Sequence, residues 1–220
     1  MIPLWKKYLS YVSEIHLEST SSIHNPELHV SLKDGRLMLS TDNAIYSFAD
    51  KYYNFAEVLE MLNYSHFKNC LILGFGLGSI PYIIEKTLGE LLSYTGIEID
   101  EEVIYLASKY VLPQLNSDIQ IIQADALTYV NLNQNKFDLI LMDVFESDYI
   151  PSVFETAEFL QDLENCLTSG GLVMYNRLAN SSDDAQKSLE FYNAQFTKVF
   201  PLATYLRVKG NLMLLSHPIR

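Results

Sequence analysis

Basic side chains are what this sequence is short of. Lys and Arg total 15 against 27 Asp and Glu, a formal net charge of −12 at pH 7. Nucleic acids and anionic membrane surfaces are held by Lys and Arg, so neither is an expected partner; a small cationic or neutral molecule is. Cysteine is almost absent. Cys70 and Cys166 lie far apart in apolar surroundings and read as reduced, buried thiols of a reducing compartment. No apolar run approaches the roughly 18 residues of a membrane span, and "MIPLWKKYLS" lacks a continuous apolar h-region, so the expected location is the cytoplasm. The five histidines show no metal-ligand spacing, and no Walker loop, GxSxG elbow or CxxC pair is present. No metal is expected. The single tryptophan, Trp5, reads as an anchor for the N-terminal tail or a contact for a partner chain.

What is present is a chain of 220 residues, 49% hydrophobic and 12% aromatic, enough to bury one good core with a small appendage. The first 48 residues are rich in strand patterns. In "ELHVSLKDGRLMLS" the triplet Lys33-Asp34-Gly35 separates two alternating apolar runs, a hairpin signal. "NAIYSF" adds a strand after it and "YVSEIHLES" one before. "ADKYYNFAEVLEMLN" has Tyr52, Phe55, Val58, Leu59 and Leu62 at helical spacing and predicts one helix over 49–63.

From residue 69 strand and helix patterns alternate. Strands are predicted at 70–75, 91–99, 119–124, 137–144 and 171–177, with helices over 79–89, 101–115, 126–131, 154–169 and near 182–196. That alternation implies right-handed crossovers and a parallel sheet. Lys209-Gly210 then sits between two further apolar runs, a terminal antiparallel hairpin. The predicted fold is α/β: a Rossmann-like, methyltransferase-type sheet with a C-terminal antiparallel hairpin, preceded by a small N-terminal β-hairpin region. The expected division is a β-rich region plus helix over 1–66 and a nucleoside- or sulfonium-binding domain over 67–220.

The chemistry is expected at the strand ends. "LILGFGLGS" runs from a strand through Gly74, Gly76 and Gly78 into a helix, a turn that lets a ligand approach the backbone beside a helix N-terminus. Its spacing is GxGxG, so the dinucleotide GxGxxG pattern fails at the last glycine. The next strand ends in "GIEID", where Glu98 is the candidate ribose ligand and Asp100 the candidate helix cap. "IIQADAL" supplies Asp125 as a candidate acceptor for an adenine amino group. "ILMDVFESDYIP" ends a buried strand in acid: Asp143, Glu146 and Asp148. A carboxylate there can hold a protonated amine and remove its proton, with Glu146 and Asp148 deepening the negative potential. Asp143 is the expected base and Glu146 its helper.

Taken together, "LILGFGLGS", "GIEIDEEVIYLASKYV", "QIIQADALTYV", "FDLILMDVFESDYIP" and "GGLVMYN" resemble the spermidine synthase (aminopropyltransferase) family, and the likeness extends from about residue 25 to 216 through "ELHVSLKDGRLMLS" and "KYYNFAEVL". The resemblance implies a small β-domain on a Rossmann domain, usually dimeric, with decarboxylated S-adenosylmethionine as donor and an amine such as a polyamine as acceptor. It implies that Gly74, Gly76, Gly78 and Glu98 bind the nucleoside, that Asp125-Ala126 hold adenine, and that Asp143 activates the amine. The family pattern is altered at Leu77, where an acid grips the donor's amino group, at Phe55-Ala56-Glu57, where the family has Tyr-His-Glu, and near Tyr46, where it has Gln. Asp-Ser-Ser-Asp-Pro becomes Asp143-Val144-Phe145-Glu146-Ser147. Two alternatives stay open: a small-molecule methyltransferase using intact S-adenosylmethionine, and a non-catalytic, dimeric nucleoside-binding module.

Overall fold

A computed structural model describes residues 2–41, 45–146 and 149–219. The N-terminal part forms an antiparallel sheet in the order β1 (Ile15–Thr20), β2 (Leu28–Lys33), β3 (Arg36–Ser40), β4 (Ile45–Ser47). Asp34 and Gly35 both take positive φ, 50° and 75°, the geometry that a two-residue hairpin turn demands. Leu28, Val30, Leu32, Leu37 and Leu39 are buried against the second sheet, in one apolar cluster with Ile72, Leu139 and Met174. A short helix, α1 (Leu4–Leu9), precedes this sheet and leaves Leu4, Trp5 and Tyr8 exposed.

The second sheet contains β5 (Asn69–Leu73), β6 (Ser93–Glu98), β7 (Ile119–Gln123), β8 (Phe137–Met142), β9 (Leu167–Leu178), β10 (Thr204–Val208) and β11 (Asn211–Leu215). Their order is β10-β11-β9-β8-β5-β6-β7; β5 to β9 run parallel, and β11 and β10 close the sheet as an antiparallel hairpin. This is the architecture the alternation predicted. Successive residues of β5 enter opposite layers: Cys70 and Ile72 join one apolar cluster, Leu71 and Leu73 the other. Helix α4 (Glu101–Tyr110) covers the first face with Val103, Leu106 and Ala107. Helices α5 (Ala126–Leu132), α6 (Ala157–Asn165) and α7 (Ser182–Phe191) cover the second. Burial on both faces is why the central strands β5 and β8 read as nearly continuous apolar runs. Cys70 and Cys166 are buried and unpaired.

The helices predicted over 101–115 and near 182–196 are α-helical only to Tyr110 and Phe191, and three other elements differ further from expectation. The helix predicted over 49–63 is broken: Ala49 takes φ 43°, a 3-10 turn covers Ala49–Lys51, and α2 spans only Tyr53–Leu59, packing on β10 and β11. Tyr52 sits at the break with non-helical backbone, which frees its side chain from the helix face. The predicted helix over 79–89 is α-helical only at α3 (Ser79–Tyr82) and continues as a π turn, Ile83–Thr87. There Glu85 turns inward and accepts hydrogen bonds from Asn116 and Ser117. The helix predicted to run to 169 stops at Asn165, and Leu167 begins β9 by pairing with Phe137, followed by a register shift.

Because the chain adds β6 and β7 on one side of β5 and then returns to add β8 and β9 on the other, its direction of winding reverses between β5 and β8. Ligands of open α/β sheets bind in the crevice outside the carboxyl ends of such a strand pair.

Candidate active site at the switch point of the sheet

The loops leaving β5 and β8 touch. Gly74 takes φ 82°, and a Cβ built on it would lie 2.5 Å from the Asp143 carbonyl oxygen. The Gly74 N–H donates to Ile97 O at 3.0 Å and the Asp143 N–H to Leu73 O at 2.8 Å. Gly76 follows, and its N–H donates to Glu98 Oε2 at 3.0 Å, while Ile99 and Asp100 N–H groups donate to Oε1 at 3.0 and 3.2 Å. Glu98, the expected ribose ligand, is thus also the brace of the glycine loop. Burial raises its carboxyl above the ordinary range, and the backbone donors partly offset this. Gly78 starts α3 and lies off the cavity wall. Leu77, in the slot where the family pattern has an acid, is buried in the core at 1% exposure.

Asp100 caps α4, as expected, accepting from the Glu102 N–H at 3.0 Å. Its Oδ2 also accepts from Ser22 Oγ at 2.5 Å and Asn25 Nδ2 at 2.7 Å, and Asn25 Oδ1 accepts from the Tyr46 hydroxyl at 2.9 Å. These bonds clasp the β1–β2 loop to the second sheet. Asp125 caps α5 through Oδ1, which accepts from Thr128 N–H and Oγ1, both at 2.8 Å; Ala126 is the first residue of that helix.

Asp143 sits at the mouth of β8. Its Oδ2 accepts from the Tyr52 hydroxyl at 2.7 Å and its Oδ1 from Asn176 Nδ2 at 2.9 Å. Asn176 Oδ1 in turn accepts from Asn211 Nδ2 at 2.8 Å. Burial raises the Asp143 carboxyl to about 7; the bonds from Asn176 and Tyr52 work against that rise, and the Glu98 charge adds to it. Burial, followed by the charge of Asp143, pushes the Tyr52 hydroxyl well above its ordinary range. Glu146 lies on the rim, exposed, its backbone paired with that of Tyr149 at 2.9 and 3.2 Å. Asp148 and Ser147 lie outside the described residues.

A cavity of about 800 Å³ joins these groups: Gly74, Gly76, Glu98, Asp125, Ala126, Asp143 and Glu146 all line it. Val153 and Phe154 also line it, in a 3-10 turn, Ser152–Glu155, held by the Tyr175 hydroxyl on Phe154 O at 3.0 Å and by the Arg177–Glu155 ion pair. Tyr52, Asn176, Asn211 and Asn25 belong to the site and were not singled out by sequence. For Asn176 a signal existed, a carboxamide inside the apolar run of β9.

A family model for the spermine/spermidine synthase domain matches residues 57–209. The chain is 31% identical over 153 residues to a polyamine aminopropyltransferase of Vibrio vulnificus, covering 66% of this chain and 49% of that one. It is 27% identical over 195 residues to a probable polyamine aminopropyl transferase of Bifidobacterium longum, covering 84% and 40%. The chain therefore spans about half the length of the curated relatives it matches. Among solved structures, the spermidine synthase of Thermotoga maritima superposes with a TM-score of 0.69 over 91% of this chain and 72% of that one, at 18% identity. Human methyltransferase-like protein 13, solved with SAH, superposes with a TM-score of 0.60 over 76% and 82%, at 20% identity. The structural likenesses show a shared fold, and the match over most of the chain shows descent: this chain belongs to the spermine/spermidine synthase family.

Proposed function

We propose that the protein transfers an aminopropyl group from decarboxylated S-adenosylmethionine to an amine acceptor of the polyamine type. The observation that carries this is Asp143, held on both oxygens at the switch point and raised to about 7. An amine of ordinary pKa near 10 arrives as the ammonium, and an exposed aspartate near 3.9 is a base about six units too weak. Raising Asp143 roughly halves that gap, leaving the rest to the developing C–N bond. Asp143 takes a proton from the ammonium and so frees the nitrogen lone pair, which attacks the propyl carbon bonded to sulfur; the C–S electrons return to sulfur and methylthioadenosine leaves. Alignment supplies most of the acceleration, since both reactants lie in one cavity.

The negative lining supports the decarboxylated donor. Glu98, Asp125, Asp143 and Glu146 surround the cavity, so a donor bearing a sulfonium and an ammonium gains where the extra carboxylate of the intact donor is repelled. In this reading Glu98 and Asp125 meet the nucleoside, Gly74 and Gly76 allow its approach, and Glu146 strengthens the field at the rim. Names of relatives agree with it, as does a spermidine synthase solved with the transition-state analogue AdoDATO, superposing with a TM-score of 0.68. Methyl transfer from intact S-adenosylmethionine is the second reading. It is favoured by Leu77, which puts an apolar residue where an acid would repel the carboxylate that the intact donor retains.

The same proposal has a cytoplasmic homodimer, its small region at 1–66 and its donor domain at 67–220. The exposed Leu4, Trp5 and Tyr8 support self-association. Calorimetry with decarboxylated S-adenosylmethionine, the intact donor and methylthioadenosine separates the readings. Tighter binding of the decarboxylated donor is expected; preference for the intact one overturns the first reading, and no binding of any overturns both. Formation of an aminopropylated product from putrescine, lost in Asp143→Asn, tests the base.

A further inference from the structure

Asn176 is 1% exposed in a strand of apolar neighbours, so its amide has to be satisfied inside the protein. It is satisfied at both ends, by Asp143 and by Asn211, which opens β11 opposite Leu178 and lines the cavity. An ionised carboxylate only accepts hydrogen bonds. The charge on Asp143 therefore dictates the direction of the whole row: Asn211 donates to Asn176, and Asn176 donates to Asp143. Once Asp143 carries a proton, the same three side chains can bond in the reverse sense. The Asp143 O–H donates to Asn176 Oδ1, and Asn176 Nδ2 donates to Asn211 Oδ1. The O and N ends of a carboxamide are almost equal in size, so each amide can turn over within its own volume.

We infer that Asn176 and Asn211 are positioning residues that form a reversible amide relay, holding Asp143 in either charge state by reversing the direction of their hydrogen bonds. The inference rests on Asp143 being the base. The proton taken from the acceptor swings about the carboxyl C–O bond onto Asn176 once the product amine moves away, and returns to solvent through the cavity. Tyr52 keeps donating to Oδ2 throughout, so the carboxyl group does not rotate out of line. The titratable groups that bear on Asp143 are Tyr52, before α2, and Glu98, at the end of β6; Glu146 and Asp125 line the same cavity.

An Asn211→Asp variant tests the relay. An acceptor-only group at 211 draws the Asn176 NH2 outward and turns its carbonyl onto Asp143, an arrangement suited to the protonated acid alone. The readout is the titration of the Asp143 carboxyl carbon by ¹³C NMR, assigned by its loss in Asp143→Asn. The midpoint is expected to rise by at least about one pH unit, a tenfold gain in proton affinity. Added negative charge raises it too, so the same change is measured with Asn176→Leu in the background, or Asn176→Ser if that variant does not fold. A shift in the Asn176 background clearly smaller than in the parent supports the relay. Equal shifts in both backgrounds overturn it. Undiminished turnover by Asp143→Asn sinks the base assignment instead, whatever the titrations show.

Discussion

The carbonyl of Asp143 occupies the space that a side chain on Gly74 would need, with a Cβ at 74 only 2.5 Å from that oxygen. Glycine-loop and base positions are therefore one steric unit. Gly74→Ala is expected to displace the Asp143 backbone and to strain φ at 74, costing about 1–3 kcal/mol. Melting should fall by several degrees, and donor turnover should fall more than stability does. A variant with unchanged melting and turnover would show that the loops are not coupled.

Glu98 holds three backbone N–H groups with two oxygens. A glutamine has one acceptor end, and its NH2 would face a donor. Glu98→Gln is expected to loosen the glycine loop and weaken donor binding about tenfold or more, by the roughly 1.5–3 kcal/mol of a charged hydrogen bond. Calorimetry with the decarboxylated donor measures it.

Tyr52 donates to the base and so favours its ionised form. In Tyr52→Phe the acid limb of kcat/KM, expected near 7 in the parent, moves upward, and the rate at neutral pH falls roughly ten- to a hundredfold. An unmoved limb would detach Tyr52 from the titration.

Stability carries two opposite pH signatures. Burial alone would raise Glu85, but hydrogen bonds from Lys86, Ser117 and Asn116 bring it down to about 2. Its folded value lies below its unfolded one, so its contribution is present above roughly pH 4.3 and is lost as pH falls towards 2. Asp143 is raised, so the native state is favoured below roughly pH 3.9 and loses that advantage as pH rises through about 7. Denaturant titrations should show Glu85→Gln removing part of the acid loss, and Asp143→Asn flattening the fall between pH 4 and 8.

The sheet was legible because strand-like runs alternate with helical ones and β5 and β8 are short apolar runs closed by glycine or acid, and the winding order then places Glu98, Asp125 and Asp143 along one edge. The partners of Asp143 were not legible. Tyr52 lies 91 positions away and Asn176 lies 33 away, and no local pattern encodes a hydrogen bond over such a span. Tyr52 also fits the apolar spacing of a helix, so the positive φ of Ala49 and the late start of that helix at Tyr53 left no trace in the periodicity. At Leu77 the loss of the family's acid was legible, but the entry of its apolar side chain into the core was not.

Ser22 and Asn25 reach Asp100 from the loop between β1 and β2, while Glu98, two residues before Asp100, faces the cavity. Occupancy of that cavity and docking of the loop are then thermodynamically linked. A ligand that binds only the docked form raises the free energy of local opening by RT ln(1 + [L]/Kd). Amide hydrogen exchange in residues 20–25, far along the chain from the glycine loop, becomes a gauge of how full the nucleoside site is.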